Sequence, residues 1–167
     1  DNSGPKWEAT LEKAMRMNDD NRDPLLLTPG PLTTSAETKQ AMLHDWGSRD
    51  QSFIDATQNV RDALVDVSGG GDAFTAVPVQ GSGTFAVEAM VGTFLPKNRK
   101  LLIVVNGAYG HRIAKICDYI ARRYTVLETP EDTPPDVGAI SRTLADDPDI
   151  SHVVVIHCET TSGLSLI

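Results

Sequence analysis

Apolar positions change their period several times along this 167-residue chain. Two unbroken apolar runs stand out: residues 100–105 (Lys-Leu-Leu-Ile-Val-Val) and 152–158 (His-Val-Val-Val-Ile-His-Cys). Runs of that length, bounded by turn residues, read as strands covered on both faces. Helical spacing fills other intervals. Phe53, Thr57, Val60, Leu64 and Val67 fall on one helical face, and Gly69-Gly70-Gly71 stops that helix. Ile113, Ile116, Cys117 and Ile120 mark another, as do Val137, Ile140 and Leu144, predicted to point inward. Thr34 and Glu37 suit a capping box for a helix running to about His44. Residues 74–79 and 124–127 read as further strands, with a helix from the glycine turn at 81–84 to about Phe94. Near the start, Trp7, Leu11, Ala14 and Met15 share a helical face, and the polar cluster at 18–24 ends it.

Strands alternating with helices through short loops imply an α/β fold with a mostly parallel sheet covered by helices. Ligands in such sheets sit at the carboxyl ends of the strands. Three glycine-rich or polar turns follow predicted strands: Gln80–Thr84, Asn106–Gly110 and Glu159–Gly163. In the first, Gly81 and Gly83 permit a tight turn, and Ser82 and Thr84 supply hydroxyls where a helix begins. Unpaired N–H groups and the positive dipole end make such a turn a natural anion site, and a phosphate is the candidate ligand. On its own the turn serves equally as a plain helix entry, with Ser82 or Thr84 as N-cap. It lacks the third glycine of the dinucleotide fingerprint and the lysine of a nucleotide P-loop. Tyr109 reads either as an ordinary aromatic or as a flat face for a planar ligand. Glu159, Thr160 and Thr161 read as simple turn polars.

Composition narrows the classes. Hydrophobic residues make up 40% and charged residues 23% of the chain, as in ordinary globular proteins, and a net charge of −8 excludes a basic nucleic-acid surface. No apolar run reaches the length of a membrane span, and the polar start at 1–21 does not read as a secretory signal, so a cytoplasmic location is expected. Cys117 and Cys158 lie far apart in apolar stretches and are expected as buried, reduced thiols. His152 and His157 have no partners at ligand spacing, so no metal site is expected. Ser82 lacks the glycine spacing of a nucleophile elbow.

Four stretches in this order carry a resemblance: residues 25–35 (Leu-Leu-Leu-Thr-Pro-Gly-Pro-Leu-Thr-Thr-Ser), 80–89 (Gln-Gly-Ser-Gly-Thr-Phe-Ala-Val-Glu-Ala), 106–112 (Asn-Gly-Ala-Tyr-Gly-His-Arg) and 157–163 (His-Cys-Glu-Thr-Thr-Ser-Gly). Together they closely resemble the N-terminal part of 2-aminoethylphosphonate–pyruvate aminotransferases, members of the class V, fold-type I pyridoxal-phosphate aminotransferases. The likeness covers roughly residues 24–163. It implies an N-terminal arm (1–23), part of a cofactor-binding large domain (24–163) and a divergent tail (164–167). Arg49 departs from it, standing where an aromatic is expected.

The resemblance implies pyridoxal 5′-phosphate as cofactor. Ser82, Gly83 and Thr84 would cradle its phosphate, Tyr109 would stack on its ring, and Thr160 would face its ring oxygen. Thr28, Pro29, Gly30 and Pro31 would line the substrate pocket. The implied reaction moves the amino group of 2-aminoethylphosphonate to pyruvate, giving phosphonoacetaldehyde and alanine, in phosphonate degradation and at a dimer interface. The family continues past the Gly163 position to the aspartate that pairs with the ring nitrogen and to the Schiff-base lysine. This sequence ends Leu164-Ser165-Leu166-Ile167, and none of Lys97, Lys100 or Lys115 matches the lysine motif. A fragment without catalytic lysine, inactive alone, is therefore expected. Two alternatives stand beside this reading: an alanine–glyoxylate or serine–pyruvate aminotransferase, and a non-catalytic α/β module binding a phosphorylated ligand or a partner chain.

Overall fold

The computed structural model describes residues 23–165, so the helix expected around Trp7–Met15 lies outside the described residues. The chain divides into two compact units, one ending at Val60 and one beginning at Arg61. In the first, the helix α1 spans Ala36–Ala41. Its N-cap is Ser35 and not Thr34: the Ser35 hydroxyl accepts the Thr38 N–H, satisfying an amide with no partner inside the helix. The helix also stops short of His44, because the Leu43 N–H turns back onto Gln40 and His44 packs edge-on against Trp46. The helix α2 spans Gln51–Ser68, as its spacing predicts, and contains the boundary between the units. Its apolar stripe, Phe53, Val60, Leu64 and Val67, is left exposed by the described residues.

In the second unit, residues 74–79 correct the expectation of a strand. They join no sheet. Pro78 cannot donate to a ladder, and the Arg61 guanidinium takes the Ala76 carbonyl and the Thr75 hydroxyl instead. The chain then runs through α3 (Gly83–Phe94), β1 (Lys100–Val105), α4 (Ala108–Tyr119), β2 (Arg123–Glu128), α5 (Val137–Asp146) and β3 (Ile150–Val155). The strands form one parallel sheet in the order β2-β1-β3. Lys100 to Val105 match Arg123 to Glu128 on one side, and Leu101 to Val104 match His152 to Val155 on the other. β3 begins and ends earlier than its apolar run. Cys158–Glu159 leaves the sheet as β4 and pairs antiparallel with β5, Leu164–Ser165.

β1 is buried from Leu101 to Val105 because both of its faces are covered. Leu101, Ile103 and Val105 pack with Val91 of α3, with its C-cap Leu95 and with Ile113 and Cys117 of α4. Leu102 and Val104 face the other way, toward Ile150, Leu127 and Ile140 of α5. Each side chain so buried stabilises by about 1.5–3 kcal/mol relative to exposure. The α4 face follows its predicted spacing. In α5, Ile140 packs inward, but Val137 and Leu144 are exposed, which corrects the expectation for both; Val137 is the first residue after the Asp136 cap and lies beyond the edge of the covered face. Cys117 is buried and Cys158 is exposed, which corrects the expectation of two buried thiols. Burial, then the neighbouring Asp118 carboxylate, push the Cys117 thiol up, with Arg122 opposing, so it behaves as a core residue. No helix among the described residues is long and apolar enough to cross a membrane.

The amino ends of the three strands are stapled by one loop, residues 147–149. Lys100 Nζ donates to Asp147 at 2.7 Å, Arg123 to Asp149 at 2.7 Å, and Arg99 to the Pro148 carbonyl at 2.9 Å. The hydrogen bond from Lys100 holds the Asp147 carboxyl below the usual carboxylate range. A depressed folded-state pKa contributes stability above the unfolded value and loses it as pH falls through the folded one. Asp147→Asn is therefore expected to destabilise at neutral pH, with the difference from wild type closing below the usual carboxylate range. Denaturant midpoints measured across that range check this; a difference constant with pH contradicts it.

Candidate functional site

The connection β1-α4-β2 runs to one side of β1, and β2-α5-β3 returns to the other, with α4 and α5 on opposite faces. The two loops therefore part at the carboxyl ends of β1 and β3. A crevice opens at such a switch point, which is where parallel α/β sheets bind ligands. Here Asn106 and Gly107 follow β1, and Ile156 to Gly163 follow β3.

Polar groups cross this point. Asn106 is fully buried, and its Nδ2 donates to the Ile156 carbonyl at 3.1 Å, joining the strands just past their last ladder pair. Its Oδ1 is buried and takes no hydrogen bond from the described residues. Thr129, after β2, donates its N–H and its hydroxyl to the Val105 carbonyl at 2.9 and 3.0 Å. All three carboxyl ends are thus tied together.

Glu159 is fully buried and accepts from two loops. Its Oε2 takes the Tyr109 N–H at 3.2 Å; its Oε1 takes the Thr161 N–H at 3.2 Å and the Thr161 hydroxyl at 2.6 Å. The N-cap of α4 is Gly107, which has no side chain to offer, so Glu159 caps that helix from 50 residues away. Gly107 is required for a steric reason: a Cβ there would lie 2.4 Å from the Glu159 Cγ. Gly110, a turn into α4, lets the helix approach β1; a Cβ there would lie 3.0 Å from the Val105 Cα.

The expected anion turn is a well-formed helix entry. Gly81 adopts a φ of 124°, in a region L-residues rarely occupy. Ser82 is the N-cap of α3, its hydroxyl 3.4 Å from the Phe85 N–H, and Gly83 and Thr84 are the first two residues of the helix. Space beside Gly83 is open, since a Cβ built there meets nothing within 4 Å. Arg112 links this turn to Tyr109. Its guanidinium donates to the Thr84 hydroxyl at 3.3 Å and lies 4.8 Å from the centre of the Tyr109 ring, a cation–π contact.

Thr84 and Tyr109 thus meet through Arg112, and Tyr109 meets the 159–161 turn through Glu159. Thr160 sits in that turn and is exposed, while its neighbour Thr161 makes the bonds to Glu159. Thr28, Pro29, Gly30 and Pro31 belong to the other unit, where the Thr28 hydroxyl closes the loop by donating to the Pro31 carbonyl at 2.7 Å. Sequence reasoning gave Asn106, Arg112 and Glu159 no role of their own. Their partners lie 50, 28 and 50 residues away, beyond any local spacing rule. The signal that could have found Glu159 is a lone acid between two apolar and glycine-rich motifs.

The fold is that of fold-type I aminotransferases. It superposes on the alanine–glyoxylate aminotransferase of Nostoc sp. with a TM-score of 0.76 at 23% identity, over 87% of this chain and 38% of that one. On the pyridoxamine–pyruvate aminotransferase of Mesorhizobium loti the TM-score is 0.73 at 20% identity, over 86% and 36%. By sequence, the chain is similar to 2-aminoethylphosphonate–pyruvate transaminases: it is 51% identical to that of Pseudomonas aeruginosa over 148 residues. That match covers 89% of this chain, which spans 40% of the relative's length. No protein-family model matches the chain.

Gly107→Ala is expected to destabilise the second unit by about 1–3 kcal/mol, as overpacking does. In a Glu159→Ala background the penalty should shrink, because the atoms it strikes are gone. A double-mutant cycle read by chemical denaturation tests this. Strictly additive effects would refute the contact.

Proposed function

We propose that this chain is the cofactor-binding part of an aminotransferase that moves the amino group of 2-aminoethylphosphonate to pyruvate. The observation carrying the reading is the 51% identity to a transaminase of that name over nearly the whole chain. Support independent of it comes from the Arg112 contact that links the α3 turn to Tyr109, and from the Glu159 bonds that join the loops after β1 and β3. In this reading Ser82, Gly83 and Thr84 hold the phosphate of pyridoxal 5′-phosphate, Tyr109 stacks on its ring, and Thr160 faces the ring oxygen. Thr28, Pro29, Gly30 and Pro31 line the substrate pocket, the protein works as a homodimer, and its place is the cytoplasm.

The residues present fit that cofactor. The first amides of α3 have no partner within the helix, and open space lies beside Gly83, which suits a phosphate. Arg112 adds positive charge next to Thr84 in a protein whose net charge is −8. With Arg112 against one face of the half-buried Tyr109 ring, the other face is the one a planar ligand would take. Pyridoxal 5′-phosphate supplies the electron sink through which amino groups pass between amines and 2-oxo acids. The chain's own part is to bind and orient: hydroxyls and amides at one end, an aromatic face at the other. Lys100 cannot serve as the covalent anchor, because it lies at the opposite end of β1, paired with Asp147. Lys97 precedes β1 at that same end, and Lys115 is exposed on α4. The described residues are expected to bind the cofactor.

Calorimetric titration with pyridoxamine 5′-phosphate and pyridoxamine tests the reading, since neither has an aldehyde to condense with surface lysines. The phosphorylated form should bind more tightly. Thr84→Val should weaken it about tenfold or more, as loss of a charge-assisted hydrogen bond does, while leaving pyridoxamine nearly unchanged. Equal affinity for the two ligands, or none for either, would contradict the proposal.

A further inference from the structure

We infer that Glu159 is a positioning residue: one buried carboxylate sets the Tyr109 ring and the Thr160 hydroxyl in a fixed relation. The inference rests on the cofactor reading above and extends it to a residue with no assigned part in it. Tyr109 is the second residue of α4, and its N–H is held by Glu159 Oε2, which fixes the backbone from which the ring projects. On the other loop, Thr160 lies between Glu159 and Thr161. Thr161 is held through its N–H and hydroxyl by Oε1, and the Glu159 carbonyl accepts the Gly163 N–H at 2.9 Å. Thr160 is therefore bracketed by clamped neighbours while its own side chain stays exposed.

The chemistry is specific to a carboxylate. Both backbone partners are donors, one to each oxygen. A glutamine would have to turn its NH₂ toward the Tyr109 N–H or toward the Thr161 N–H, and either choice sets donor against donor. Glutamine at 159 keeps the volume that packs on Gly107 but breaks one arm of the clamp. The α3 turn at Ser82–Thr84 makes no bond to Glu159, so the phosphate end should not feel the change.

The test compares wild type, Glu159→Gln and Thr161→Val by amide hydrogen exchange and by titration with pyridoxamine 5′-phosphate, pyridoxamine and inorganic phosphate. Glu159→Gln should lose exchange protection at Tyr109 or Thr161. It should bind both pyridoxamine forms about tenfold more weakly, the size of one hydrogen bond to a charged group, and inorganic phosphate as wild type does. Thr161→Val should raise exchange at Tyr109, across the two loops. Unchanged pyridoxamine affinity in a variant with lost protection overturns the positioning role. Equal weakening of inorganic phosphate does so too, since it indicates general loosening. If wild type binds none of the three, the cofactor reading fails. Exchange then decides the clamp itself: lost protection supports it, and retained protection overturns it.

Discussion

Burial of β1 on both faces is the constraint from which the rest of the second unit follows. A strand buried from Leu101 to Val105 must have helices on each side and a strand along each edge. With α4 returning on one face and α5 on the other, the chain has to leave β1 one way and come back the opposite way. That reversal parts the connections at the carboxyl ends of β1 and β3, the place where parallel α/β sheets bind ligands. The same sheet therefore has two unlike ends. At the amino end, ion pairs from Lys100 and Arg123 close the strands onto the 147–149 loop. At the carboxyl end, buried Asn106 and Glu159 bind the loops after β1 and β3 to one another.

The buried polar groups are the costly part of this design. Among the described residues Asn106 has one oxygen with no partner, and Glu159 is wholly out of solvent. Burying a carboxylate is tolerable when its oxygens accept several hydrogen bonds, and Glu159 accepts three. In return the start of α4 has its cap, and two loops distant in sequence share one anchor. Ligand sites need such rigidity, because a ring platform that drifts by an ångström loses its contact.

Much of this was legible in the sequence, for local reasons. The apolar run at 100–105 left no choice but a covered strand, and the 113, 116, 117 spacing placed α4 against it. The Gln80–Thr84 turn announced a helix entry whatever its ligand. The failures were equally physical. Residues 74–79 have strand-like apolar content, but Pro78 and the Arg61 contacts keep them out of any ladder. Val137 has the right spacing yet sits at the first helical position, past the covered face. Glu159 looked like a turn polar because its partners Tyr109 and Gly107 are about 50 residues away. The structure shows the helix entry at Ser82, and no periodicity could tell which side chain from elsewhere, here Arg112, would stand beside Thr84.

The central claim is that the carboxyl ends of β1 and β3, with the α3 turn, form one ligand site. Amide chemical-shift mapping of the isotope-labelled chain during titration with pyridoxamine 5′-phosphate tests it most directly. The account predicts saturable shifts at Gly83, Thr84, Tyr109 and Thr160–Thr161 together, with Lys100 and Asp147 at the far end of the sheet unmoved. Shifts confined to one of those turns, or centred on the 147–149 loop, would contradict it.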